Sequence, residues 1–128
     1  MALLYQPKEG SVLMCDFRGY EVPEIIKVRP VIVIRKYRTN KLLVTVVPLS
    51  TTAPQMLLAH HLQLDSHLQG ANPICWAKCE VVATVSLGRL DRIKSKDRHG
   101  KRTYTIAELT NDQFSAIKAA VRSALGLR

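Results

Sequence analysis

Long apolar runs are missing from this chain: stretches such as Val31 to Ile34 are four residues long, far below the roughly 20 needed to cross a bilayer as a helix. A membrane span is therefore not expected. The opening residues, Met1-Ala-Leu-Leu-Tyr-Gln-Pro-Lys8, place no positive segment ahead of a long apolar one and show no cleavage site, so the expected compartment is the cytosol. Cysteine is scarce. Cys15, Cys75 and Cys79 are odd in number and lack framework spacing, which suits reduced thiols rather than disulfides. A metal constellation is also lacking, because Cys75-x-x-x-Cys79 has no second paired motif and His60, His61 and His67 are scattered upstream. No metal or other cofactor is expected. Repeats and low-complexity segments are absent, and 128 residues with 47% apolar content suit one domain over residues 1–128.

Acid is missing where base is most concentrated. Lys27, Arg29, Arg35, Lys36, Arg38 and Lys41 lie in one segment with no Asp or Glu, and Arg89, Arg92, Lys94, Lys96, Arg98, Lys101 and Arg102 lie in a second with only Asp91 and Asp97. These two blocks together carry +11 against a net charge of +9, so the rest of the chain is close to neutral. Such clustering points to a polyanionic partner, since each phosphate contact releases condensed counterions. Charge by itself does not choose between RNA, DNA and an acidic protein.

The local patterns are mostly those of strands. Gly10 to Asp16 follows a Pro-Lys-Glu-Gly turn as a first strand, and Phe17 to Val28 reads as a loop. The β-branched run Val31 to Ile34 predicts a core strand covered on both faces, paired through a turn at Tyr37 to Asn40 with Leu42 to Leu49, whose end Pro48 should mark. Short strands are expected at His60 to Leu64, Ile74 to Lys78, Val81 to Val85 and Tyr104 to Ile106, with a helical turn near Leu87 to Leu90. Lys94 to Arg102 reads as an exposed basic loop centred on Gly100. Thr110 and Gln113 form a capping-box pattern, and Leu109 and Phe114 a hydrophobic staple. Phe114, Ile117, Val121, Ala124 and Leu125 then make one apolar face, predicting a C-terminal helix laid over a sheet.

The most informative segment joins Glu24, Arg29-Pro30 with its apolar strand, and Pro48-Leu49-Ser50-Thr51. An acid in a loop, an arginine at the mouth of a core strand and hydroxyls at the end of its hairpin partner can converge on one phosphate. In their order, together with Gly10, Glu80 to Ser86, Arg89-Leu90 and the capped helix, these motifs resemble the MazF/PemK toxin family over nearly the whole chain. The resemblance implies a mostly β fold, an SH3-like small β-barrel with a C-terminal α-helix. It implies a homodimer that cleaves single-stranded RNA without a metal and is neutralised by a cognate antitoxin.

Carried over, Arg29 is the expected catalytic arginine, Ser50 and Thr51 the hydroxyl partners at the phosphate, and Glu24 the acid of the first loop. Where many members carry Arg-Thr-Ile-Asp, this chain has Ala83-Thr-Val-Ser86, so a basic residue and an acid are both replaced. Lys78 and Arg89 are the candidates to restore the positive charge. Lys27 and Arg35 belong to the expected RNA-binding surface, and Trp76, the only tryptophan, is either core or a base-stacking platform. The alternative reading is a non-catalytic RNA-binding or regulatory protein that keeps the fold and the charge.

Overall fold

The computed structural model describes residues 3, 5–21, 27–50, 61–65, 74–96 and 98–127. Its elements are β1 (Ser11–Asp16), β2 (Val28–Lys36), β3 (Leu43–Ser50), β4 (His61–Asp65), β5 (Ile74–Lys78), β6 (Ala83–Ser86), a short 3-10 turn (Leu87–Arg89), β7 (Leu90–Asp91), β8 (Ile93–Lys96), β9 (Arg102–Thr105), β10 (Ala107–Glu108) and α1 (Asn111–Ala124). One curled antiparallel sheet runs in the order β10-β1-β2-β3-β5-β4, with β6 also on β3 and β7 also on β1. The mostly β, half-barrel architecture with one C-terminal helix is the fold expected from the sequence.

Two apolar clusters lie on opposite faces of this sheet, and period-2 alternation assigns residues to them. Val12, Ile32, Val47 and Leu49 pack beneath α1 with Ile117, Ala120 and Val121. Leu13, Cys15, Val31, Val33, Val44 and Val46 face the other way, where Phe17, Val85, Leu87 and Leu90 close over them. Strand β2 is thus buried on both faces, which is why it reads as an unbroken β-branched run. Each of these fully buried aliphatic side chains contributes roughly 1.5–3 kcal/mol relative to exposure.

The helix start matches its sequence signature. Thr110 Oγ1 accepts from the Gln113 amide at 3.1 Å, and Gln113 Oε1 accepts from the Thr110 amide at 3.0 Å. Leu109 and Phe114 both join the cluster under the helix. Gly10 adopts φ +88°, a left-handed conformation that favours glycine, and packs beside the Phe114 ring. Leu125 departs from expectation: it lies beyond the helix as its C-cap residue and is exposed.

Two further expectations are corrected. Pro48 does not end its strand but is buried inside β3, at the gap where β3 changes partner from β6, paired up to Val46, to β5, paired from Leu49. A residue without an amide donor is tolerated where the ladder is interrupted. The stretch Lys94 to Arg102 is not a simple loop, because β8 and β9 pair as a hairpin and only its tip is turn. His60 lies outside the described residues, whereas Leu62 and Leu64 of β4 pack into the core on one face.

Candidate active site

Strand register brings the key residues together. Arg29 of β2 faces Cys15 of β1, and Ser50 of β3 faces Trp76 of β5. On the β2–β3 ladder Val31 faces Pro48, and Arg29 and Ser50 each stand two residues farther toward the same end. The result is a row across four strands, Trp76, Ser50, Arg29 and Cys15, continued by Gln63 on one side and Leu90 on the other. Directly opposed residues share a face, so Arg29, Ser50 and Trp76 all project from the side away from α1. Lys78, two residues from Trp76 on β5, shares that face.

Burial grades along this row. Cys15 and Leu90 are buried at one end, Arg29 and Trp76 are half-buried, and Gln63 is exposed at the other. Ser50 is a buried polar residue of the core, with only 8% of its surface exposed. Burial pushes the Cys15 thiol up to about 12, despite the opposing charge of Arg89, so the floor beside Arg29 is a neutral thiol. Among the described residues, no hydrogen bond or ion pair occupies the Arg29 guanidinium. An arginine held at its stem by a strand, with a planar fork of donors left over, is suited to a phosphate. Glu24 and Thr51 lie outside the described residues.

The other candidates are distributed differently. Arg89 is half-buried, and its guanidinium points inward: Nη1 donates to the backbone oxygens of Asp16 at 2.8 Å and Arg18 at 3.0 Å, and the group stacks on Tyr20 at 4.8 Å. A side chain so engaged tethers the segment after β1. Gly19, at φ +101°, sits against the same guanidinium, whose Nη2 is 3.8 Å from where a Cβ would stand. A β-bulge between Val33 and Arg35 sets Arg35 opposite Thr45, on the face away from Arg29, so these two arginines do not converge. Near Arg35, the hydroxyls of Tyr37, Thr45 and Thr84 meet at 3.0–3.5 Å, and the bond from Thr45 is the main cause holding the Tyr37 phenol below its usual value.

Lys27 is exposed just before β2. Ala83-Thr-Val-Ser86 pairs with Val46 to Leu43, so Ala83 lies four residues, roughly 13 Å, along β3 from Ser50. The replaced positions are therefore remote from the Arg29–Ser50 row. Among the described residues no three His, Cys, Asp or Glu side chains stand together as a metal set, and no helix is long and apolar enough to cross a membrane. Cys79, like Cys15, is a buried free thiol.

A family model for the PemK-like, MazF-like toxin of type II toxin-antitoxin systems matches residues 8–125. The chain belongs to this family. Family membership fits the order of motifs around Arg29 and Ser50, which stand at the same end of the adjacent strands β2 and β3. The chain is also 33% identical over 118 residues to the YifN protein of Escherichia coli strain K12, covering 74% of this chain and 78% of that protein.

Solved structures of lower identity share the PemK/MazF fold. A MazF from Deinococcus radiodurans superposes with a TM-score of 0.68 at 18% identity, covering 96% of this chain and 99% of that one. An endoribonuclease from a mycobacterial species, solved with its cognate antitoxin, superposes with a TM-score of 0.63 at 19% identity, covering 95% and 97%.

Proposed function

We propose that this PemK/MazF-family chain is a cytoplasmic toxin acting as a metal-independent endoribonuclease on single-stranded RNA, with Arg29 at the reacting phosphate. The observation that carries the reading is the row Trp76–Ser50–Arg29 on one sheet face, with Lys78 beside it. The ribose 2′-hydroxyl attacks the adjacent phosphorus, forming a new O–P bond as the bond to the 5′-oxygen breaks. The 2′ proton passes to a base, for which Glu24 is the assigned carboxylate, and the leaving 5′-oxygen takes up a proton. Between these events charge builds on the phosphorane oxygens, where a fixed guanidinium acts most strongly. Ser50 and Thr51 supply hydroxyls to the same phosphate, and Trp76 offers a ring face to a neighbouring base. The antitoxin complex of the mycobacterial relative supports a cognate antitoxin as partner, and a homodimer is part of the same reading.

The test follows cleavage and binding of a labelled single-stranded RNA on the same samples. Arg29→Ala should lower the cleavage rate ~100- to 1,000-fold while affinity falls only modestly, because the group acts on transition-state charge. Arg122→Ala is the control for generic charge, since Arg122 is exposed on α1, the helix covering the opposite face. Equal losses in the two variants would reduce Arg29 to part of a positive surface. RNA binding by the unaltered protein with no cleavage would favour the non-catalytic alternative.

A further inference from the structure

The second basic block is built as a projecting arm. Strand β7 pairs with β1 through Leu90 and Asp91, opposite Cys15 and Met14, and β10 pairs with the same edge through Ala107 and Glu108, opposite Val12 and Ser11. These two short strands are halves of one edge strand, interrupted opposite Leu13 by residues 92–106. The interruption is the β8–β9 hairpin, a two-stranded sheet of its own that pairs with nothing else. It is an addition to the fold, because the edge strand is continued on either side of it.

Alternation sorts the arm by charge. Lys94 faces Tyr104 and Lys96 faces Arg102, and Arg92 joins this face by stacking its guanidinium on the Tyr104 ring at 4.7 Å. The intervening positions, Ile93, Ser95, Thr103 and Thr105, carry no charge, and Ile93 packs against the core. One face therefore anchors the arm, while the other places Lys94 and Lys96 about 6.8 Å apart along β8 with Tyr104 and Arg102 at the positions opposite them. Lys94, Arg102 and Tyr104 are exposed, as are Arg98 and Lys101 toward the tip.

We infer that this arm is a docking surface for single-stranded RNA flanking the cleaved step, an inference that rests on the ribonuclease reading above. Its root lies beside Leu90, the end of the row that holds Arg29, so one strand can run from the reacting phosphate onto the arm. Cations spaced along a ribbon hold a backbone electrostatically, and a tyrosine already paired with a guanidinium offers a stacking plane to a base. An acidic protein would use the cations but leaves the exposed ring without a role. The arm thus makes affinity depend on RNA length beyond what the site itself spans.

The experiment compares the full-length protein with a variant carrying Lys94→Gln, Arg98→Gln, Lys101→Gln and Arg102→Gln. Anisotropy titrations use 2′-O-methyl oligoribonucleotides of about 6 and about 24 nucleotides, one near the lower end of the usual single-strand site size and one beyond its upper end. These lack the attacking hydroxyl, so binding is read whether or not the protein cleaves. The variant should bind the longer probe roughly 10- to 100-fold more weakly at low salt, with a salt slope reduced by about 0.7 for each phosphate it no longer neutralises. Binding of the short probe and the thermal midpoint should be unchanged.

Unchanged binding of the long probe, or equal losses for both lengths, would overturn the inference. So would a loss confined to duplex DNA or to an acidic peptide run in parallel. Failure of unmodified RNA to be cut would instead count against the ribonuclease reading, while the length dependence still reports on the arm.

Discussion

Arg29 and Arg89 are both half-buried arginines beside the same buried strand, yet they stand in opposite situations. Arg29 stands near the start of β2, opposite Cys15 of β1, and no described group takes up its donors. Arg89 ends a 3-10 turn, and its guanidinium is spent on two backbone oxygens and an aromatic face within the molecule. Composition makes them equivalent, but hydrogen bonding separates a residue available to a ligand from one that holds the fold. That separation locates the site more sharply than the density of positive charge does.

The comparison breaks if the two residues respond alike to truncation. Arg89→Ala removes two charge-assisted bonds to carbonyl oxygens and leaves those acceptors to find water, so it should cost about 2 kcal/mol of unfolding free energy. Arg29→Ala should change stability far less while abolishing most cleavage. Urea unfolding of both variants distinguishes them, and equal destabilisation would mean that Arg29 is also a structural residue. Arg89→Lys sharpens the point: it keeps the charge but not the fork that reaches both oxygens, so it should recover only part of the loss.

Much of the framework is legible in the sequence because it is local. The run Val31 to Ile34, its hairpin partner and the Thr110–Gln113 capping box each declare themselves within a few residues, and all are present. That Arg29 and Ser50 lie at the same end of adjacent strands follows from hairpin register, which the turn between those strands sets. Arg89 cannot be read in the same way, since its partners are 71 and 73 residues away in sequence. Arg35 changes face through a bulge of one residue, which no composition or charge pattern announces. The arm is masked by its own charge. Its period-2 signal is an alternation of basic residues with Ile93, Ser95, Thr103 and Thr105, not of apolar with polar ones, so it reads as loop. Pro48 suggests a false stop because the interruption of pairing it marks is internal to β3.

Cys15 lies between the two arginines and offers a second, smaller test of how closed that region is. Its thiol is raised from an ordinary value of 9.0 to about 12, desolvation being the largest cause and the nearby Arg89 charge only partly offsetting it. A group whose folded value is raised contributes stability in full below its unfolded value and loses it as pH climbs to the folded one. Stability should therefore fall between about pH 9 and pH 12, by up to about 1.4 kcal/mol per pH unit for this thiol. Cys79, raised to about 11 by its burial, adds to the lower part of that window. Cys15→Ala should flatten the alkaline limb of denaturant midpoints measured from pH 8 to 11. An unaltered limb would show that water already reaches the floor beside Arg29.

The smallest effect should come from the surface pair that borders the Arg89 clamp. Arg18 Nε donates to both oxygens of Asp16 at 2.9 and 3.0 Å, its Nη2 donates at 2.6 Å, and its backbone amide adds a bond at 2.9 Å. The side-chain bond is the main reason the Asp16 carboxyl is lowered from 3.8 to about 2. A lowered carboxyl contributes stability above its unfolded value and loses it as pH falls from about 4 toward 2, the reverse of the cysteine case. Arg18 has 74% of its side-chain surface exposed, so water and salt screen most of that contribution. Asp16→Asn should therefore soften the acid limb slightly, with the difference from the unaltered protein vanishing in high salt. The backbone oxygen of Asp16 that receives Arg89 is untouched by this change. A loss from Asp16→Asn as large as that from Arg89→Ala would mean that the exposed pair, not the inward-pointing arginine, holds the segment after β1.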